Sequence, residues 1–194
     1  MYPDTDSAPI PLDNDYIDSL GKNLPVEVVD RYNQLKKWNI PEDTYTYIFR
    51  NNLVPLIEKI HDDLKVDPKY TGIFLAHKLK YIQGHYNTTD DFSFDLVYEL
   101  FKFIKDQNLE LDIATEMMPV IYEHPKMDLD SVLTTINFKR QEEKQFFDAV
   151  KFLKEKYQQT GKNKTEKAEK DWIMGEIRKK AIGNVNLKEL SEKI

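Results

Sequence analysis

Beyond Pro25 the apolar residues of this chain recur at three- and four-residue intervals, the period of a helix with one buried face. Val26, Val29, Tyr32, Leu35 and Trp38 predict a first helix. Pro41, followed by Glu42 and Asp43, starts a second, because Pro at the first helical position lacks only an N–H that would be unpaired anyway. That run carries Tyr45, Ile48, Phe49, Leu53, Leu56, Ile57, Ile60 and Leu64, and Pro55 within it predicts a kink or break near Asn51 and Asn52. Asp67 as a cap before Pro68 opens a third helix with its main stripe on Tyr70, Ile73, Phe74, His77 and Tyr81. Leu75, Leu79 and Ile82 add an apolar second side, and Gly84 ends this helix. Ser93 or Asp91 caps a fourth, bearing Phe94, Val97, Leu100, Phe101 and Ile104. Asp112 caps a short helix through Met118 that Pro119 limits or kinks, and Asp128 starts another over Leu129 to Ile136.

The two ends read differently. Residues 1–25 hold four prolines and no sustained apolar period, so an extended leader is expected, with at most a helical turn over residues 14–20. From Lys139 to Tyr157 a long helix is expected with Phe146, Val150, Leu153 and Tyr157 on one face. QQTGKNKTEK (158–167) reads as a polar linker. A helix from Ala168 to Ile182 follows, with Gly183 as its stop and Asn186 as the cap of a last helix to Ile194. No segment alternates at the two-residue period of a strand. The fold class is all-α: an extended leader (1–25), a helical subdomain (26–138) and a small three-helix C-terminal tail subdomain (139–194).

Composition narrows the chemistry. The chain is 40% hydrophobic, with ten Phe and eleven Tyr, enough to build a core rather than remain disordered. It has no Cys, which removes disulfides, thiolate metal sites and cysteine nucleophiles. Six scattered glycines form no phosphate-binding loop and no nucleophile elbow. No apolar run reaches the roughly 20 residues of a membrane span, so no membrane association and a cytoplasmic location are expected. His61, His77, His85 and His124 lack the spacing of a zinc site, and Asp90, Asp91, Asp128 and Asp130 lack that of a calcium loop. His61 beside Asp62 reads as a solvated helix end rather than an acid–base pair. No catalytic or metal-ligating residue is therefore assigned, nor a cofactor of the chain's own.

The net charge of −6 conceals an asymmetry. Residues 1–138 carry 13 Lys and Arg against 24 Asp and Glu, while residues 139–194 carry 15 against 10. The first part repels a polyanion; the second can track a phosphate backbone.

Two stretches resemble one family. WIMGEIRKKAIGNVNLKEL (172–190) is similar to the closing, YqeY-like tail segment of the tRNA-dependent amidotransferase subunits of the E and B types, which reads M/V-G-x-V/I-M-K-x-x-x-G-x-A-N/D-P-x-x-V/L. Met174, Gly175, Ile177, Lys179, Gly183, Asn186 and Leu190 fall in register, whereas Val185 and Leu187 replace the small residue and the proline. MYPDTD at the start, with Pro9 and Pro11, resembles the R-M-Y-P-E-T-D-x-P-P stretch that joins the catalytic body to the tail in the E type. Leu24 and Pro25 before a helix with Arg31 and Tyr32 fit both types. The resemblance implies that this chain corresponds to the helical and tail region alone, with Met1 internal to a longer protein. The catalytic body in that family uses ATP and Mg²⁺ to activate the glutamate of misacylated Glu-tRNA(Gln), and an amidase partner subunit supplies ammonia. The tail holds tRNA(Gln).

On that reading the RNA-binding residues are Lys162, Lys164, Lys167, Lys170, Arg178, Lys179, Lys180 and Lys188, by phosphate neutralisation, with Asn184 and Asn186 as hydrogen-bonding candidates for ribose 2′-OH or a base edge. Asn186 is more naturally a cap. Gly175 costs a helix interior about 1 kcal/mol relative to Ala, which close helix packing or the approach of an RNA backbone would offset. The alternative function is a helical protein–protein interaction module docking a partner subunit through its acidic part.

Overall fold

The computed structural model describes residues 13–22, 24–160 and 165–194, and every regular element among them is helical. The chain runs through α1 (Asn14–Lys22) and α2 (Val28–Lys37), then a 3₁₀ turn (Glu42–Thr44) into α3 (Tyr45–Arg50), and α4 (Val54–Leu64). Next come α5 (Pro68–Ile73), a wide π turn (Phe74–Leu79) into α6 (Lys80–His85), and α7 (Asp95–Asp106). A second 3₁₀ turn (Leu111–Ile113) enters α8 (Ala114–Glu123), followed by α9 (Leu129–Thr135), α10 (Glu143–Thr160), α11 (Glu166–Ala181) and α12 (Leu187–Glu192). None of these helices is long and apolar enough to cross a membrane.

Four helices stop by the same device. Asn39, Asn52, Asn108 and Asn137 have φ of 53°, 51°, 50° and 57°, the left-handed conformation that Asn tolerates better than most side chains. After each, the next amide reaches back to a carbonyl five residues earlier: Ile40 to Leu35 (3.2 Å), Leu53 to Ile48 (2.9 Å), Leu109 to Ile104 (2.9 Å) and Phe138 to Leu133 (3.0 Å). The donor in every case is apolar, so each Schellman stop folds a hydrophobic side chain back towards the core. Helix starts are equally local. Asp67 accepts from the Lys69 amide (3.0 Å), Asp128 from Ser131 (2.9 Å), and Asn186 from Lys188 and Glu189 (3.0 and 3.2 Å). The break expected near Asn51 and Asn52 is present, with Pro55 in the first turn of α4.

Several expectations need correction. Part of the leader is helical: α1 runs nine residues, with the Asp13 carboxylate accepting from the Asp15 amide (3.2 Å). Tyr16, Ile17 and Leu20 share one helical face, a short amphipathic signal that the prolines on either side obscured. Residues 1–12 and residue 23 of the leader lie outside the described residues. In the third helix His77 and Tyr81 are exposed, while Leu75, Leu79 and Ile82 are buried. Leu75, Leu79 and Ile82 fall at i, i+4 and i+7, so the second apolar side, not the stripe through His77 and Tyr81, faces the core. Gly84 does not end that helix, which continues to His85. Nor does Pro119 end α8, which runs on to Glu123. Residues 158–160 of the expected linker belong to α10; residues 161–164 are outside the described set.

Buried apolar side chains form two clusters. The larger runs from Leu35 to Val132 and centres on Leu75, Leu79, Leu100, Phe101 and Met117, each 0% exposed. The smaller joins Phe146, Val150 and Leu153 of α10 to Ile173, Ile177 and Ala181 of α11, with Val185 and Leu190 closing it. At roughly 1.5–3 kcal/mol for each fully buried large apolar side chain, the first cluster holds most of the burial free energy. Between the clusters lies a seam, and the candidate residues gather along it.

Candidate nucleic-acid interface

The C-terminal turn of α11 is basic for a local reason. Thr165 caps this helix by accepting from the Ala168 amide (3.4 Å), Glu166 and Glu169 lie in its first turn, and Arg178, Lys179 and Lys180 in its last. Negative charge at the N-terminus and positive charge at the C-terminus both complement the helix dipole. The helix then stops at Gly183, whose φ of +79° favours a residue without a Cβ.

Gly183 also sits where no side chain fits. A Cβ there would lie 2.6 Å from Ile113 Cδ1 and 3.0 Å from Phe138 Cε2. Its carbonyl accepts from the Glu110 amide (3.0 Å), which ties the tail to the second 3₁₀ turn. Asn184 completes the joint. Its Oδ1 accepts from the Gln141 amide (2.9 Å), and its Nδ2 donates to the carbonyls of Lys139 and Lys180 (both 3.0 Å). Arg140 donates to the Gln107 carbonyl across the same seam. The side chains of Asn184 and Asn186 are thus held by the backbone around them.

Two adjoining clefts open along the seam. One, about 460 Å³, has Ile136, Phe138 and Ile182 among its apolar lining, with Lys139, Lys179 and Lys180 as its cations. The other, about 220 Å³, has Arg178 and Lys78 as its cations, with Tyr70 and Leu187 also in its lining. Ile182 and Glu116 line both, so the two are one discontinuous groove. Five cations face it against the carboxylates of Asp112 and Glu116. Among the described residues, no ion pair engages Lys78, Lys139, Arg178, Lys179 or Lys180.

The remaining candidates are spread out. Lys188 is exposed in the first turn of α12. Lys167 and Lys170 lie near the start of α11, and Lys167 is twelve residues before Lys179, or about 18 Å along the axis at ~1.5 Å per residue. Lys162 and Lys164 are outside the described residues. Lys78, Lys139, Phe138 and Glu116 were not expected at the site; nothing in their local sequence marks them, because only packing brings them beside α11. Gly175 carries a second correction. It is exposed, and a Cβ on it would meet nothing within 4 Å, so close helix packing does not account for it. It lies three and four residues before Arg178 and Lys179, hence on their side of the helix.

Burial and neighbouring charge shift two groups by the seam. The Glu110 carboxyl is pushed above the usual carboxylate range, chiefly by desolvation and further by Asp112, Glu189 and Glu143. The Tyr70 phenol is raised by burial and by Asp112, and donates to the Leu111 carbonyl (2.9 Å). Elsewhere, His61 Nδ1 lies 3.1 Å from the Val66 carbonyl, and Asp63 accepts from the Tyr98 hydroxyl (3.0 Å), both structural contacts. Among the described residues no three His, Asp or Glu side chains converge as a metal site would need.

Comparison with known proteins gives one direction. The chain is 22% identical over 129 residues to the E subunit of the glutamyl-tRNA(Gln) amidotransferase of Methanopyrus kandleri, a match covering 66% of this chain and 20% of that protein. Against the corresponding E subunit of Methanobrevibacter smithii it is 21% identical over 131 residues, 67% of this chain and 21% of that one. The match spans about a fifth of the length of these curated relatives. No protein-family model matches the chain, and no solved structure matches it.

Proposed function

We propose that this chain is the tRNA-holding region of an E-type component of a glutamyl-tRNA(Gln) amidotransferase, acting in the cytoplasm and positioning misacylated tRNA(Gln) for chemistry done elsewhere in the assembly. ATP, Mg²⁺ and the ammonia-supplying amidase partner belong to that chemistry. The observation that carries this reading is the seam. Five cations, none in an ion pair among the described residues, face one groove of a chain whose relatives are named for acting on tRNA. Lysine and arginine side chains neutralise phosphates, and the contour of the groove selects the fold of the RNA. Asn184 and Asn186 shape that surface rather than touch the RNA. Gly175, open on the side of Arg178 and Lys179, lets an RNA backbone approach the helix closely.

Binding of tRNA by the 194-residue chain, titrated against salt, tests this. Neutralising about four phosphates gives a slope of log affinity against log salt of roughly −3 to −4. The triple variant Arg178→Ala, Lys179→Ala, Lys180→Ala is expected to lose affinity and to flatten the slope by about 2. An unchanged slope in that variant sinks the reading.

A second reading has its own observation. Tyr16, Ile17 and Leu20 of α1, with Leu24, Val26, Val28 and Val29, leave an apolar row exposed, Val28 and Val29 at 68% and 64%. Such a row fits docking against another protein surface, and predicts that Val28→Asp with Val29→Asp weakens association with a partner subunit while tRNA affinity is unchanged.

A further inference from the structure

We infer that the seam cleft lined by Phe138 and Lys139 is a subsite for one unstacked nucleoside phosphate, presented by the bound RNA. The inference rests on the tRNA-holding reading and goes beyond it, by assigning a discrete pocket and a base preference. Size comes first: about 460 Å³ falls in the range of sites that enclose a small organic molecule, and is far more than one phosphate needs. The division of chemistry within the cleft comes second. Its lining includes Phe138, Ile136 and Ile182, apolar groups suited to the face of a base. The same lining includes Lys139, Lys179 and Lys180, none of them in an ion pair among the described residues. A bare anion would leave the apolar groups unused, and an apolar peptide would leave three cations facing a neutral ligand. A nucleoside phosphate satisfies both.

Glu116 supplies direction. Its carboxylate stands in the same cleft and accepts hydrogen bonds only, so it favours a base edge that donates from an amine, as cytosine, adenine and guanine do and uracil does not. The position of Phe138 has a local origin. It is the apolar residue after Asn137 in the stop of α9, which turns its ring towards Gly183 and the cleft.

Isoleucine-methyl spectra of the full chain test the subsite directly, with Ile113, Ile136 and Ile182 as reporters lining the cleft. The probes are the four nucleoside 5′-monophosphates and inorganic phosphate. CMP, AMP or GMP is expected to shift these methyls saturably, with phosphate weaker by about tenfold or more and UMP weakest of the nucleotides. Lys139→Ala with Lys180→Ala, both on exposed side chains, is expected to weaken nucleotide binding by about tenfold. Phe138→Leu removes the advantage of nucleotide over phosphate. If tRNA binds with its salt dependence while no nucleotide moves these methyls up to about 10 mM, the subsite is wrong and the tRNA reading stands. Phosphate binding as tightly as every nucleotide also overturns it. Nucleotides binding here without any tRNA affinity remove the tRNA reading and, with it, the presentation of the nucleotide by RNA.

Discussion

Gly183→Ala is the sharpest perturbation of the joint on which the groove depends. At a φ of +79° an Ala pays the left-handed penalty, about 1–2 kcal/mol. The new methyl would also sit 2.6 Å from Ile113 Cδ1 and 3.0 Å from both Ile113 Cβ and Phe138 Cε2. Ile113 is 1% exposed, so overpacking adds about 1–3 kcal/mol. The expected loss is therefore about 2–5 kcal/mol, read from urea unfolding of the full chain. Hydrogen exchange at the Glu110 amide, which donates to the Gly183 carbonyl, should accelerate in step. Gly175→Ala is the matched control with the opposite sign. It sits inside a helix with nothing near its would-be Cβ, and should stabilise by about 0.8–1 kcal/mol while weakening tRNA binding. A Gly183→Ala protein within ~0.5 kcal/mol of wild type, with the Glu110 amide equally protected, would refute the account of the seam.

Three further outcomes follow from the same contacts. Glu110, with its folded pKa raised, contributes stability that is full below its ordinary value of 4.5 and lost as pH rises through the folded value. Thermal melts should therefore show Glu110→Gln above wild type at neutral pH, the gap closing as pH falls towards 4.5. Tyr47, whose hydroxyl donates to Gln83 (2.6 Å), is pushed up to about 12 by burial and by Tyr122. The difference between wild-type and Tyr47→Phe ultraviolet titrations should have its midpoint there, with Tyr47's contribution to stability declining between pH 10 and about 12. Asn184→Ala leaves the Gln141 amide and the Lys139 and Lys180 carbonyls without their side-chain partner, and should cost about 1–3 kcal/mol in urea unfolding.

Much of the fold is written in short-range chemistry. The caps at Asp67, Asp128 and Asn186 and the stop at Gly183 each act within four residues of chain, so residue types in order suffice to place them. The four asparagine stops were equally legible, each an Asn followed by an apolar residue with another apolar residue five positions earlier. Reading glycine and proline alone misses them. The π turn over Phe74–Leu79 has no such local marker.

By itself the sequence determined an all-α chain, the capped helix starts at Asp67, Asp128 and Asn186, and a basic C-terminal third, because propensity, capping and charge are properties of neighbours along the chain. Tertiary structure alone decided which cations line one groove. Lys78 and Lys139 reach the side of Arg178, Lys179 and Lys180 from far away in sequence, while Lys167, on the same helix, lines no part of the groove. Phosphate recognition needs charges within a few ångströms of one another, and that spacing is set by how the two apolar clusters meet at Gly183, which no local pattern encodes.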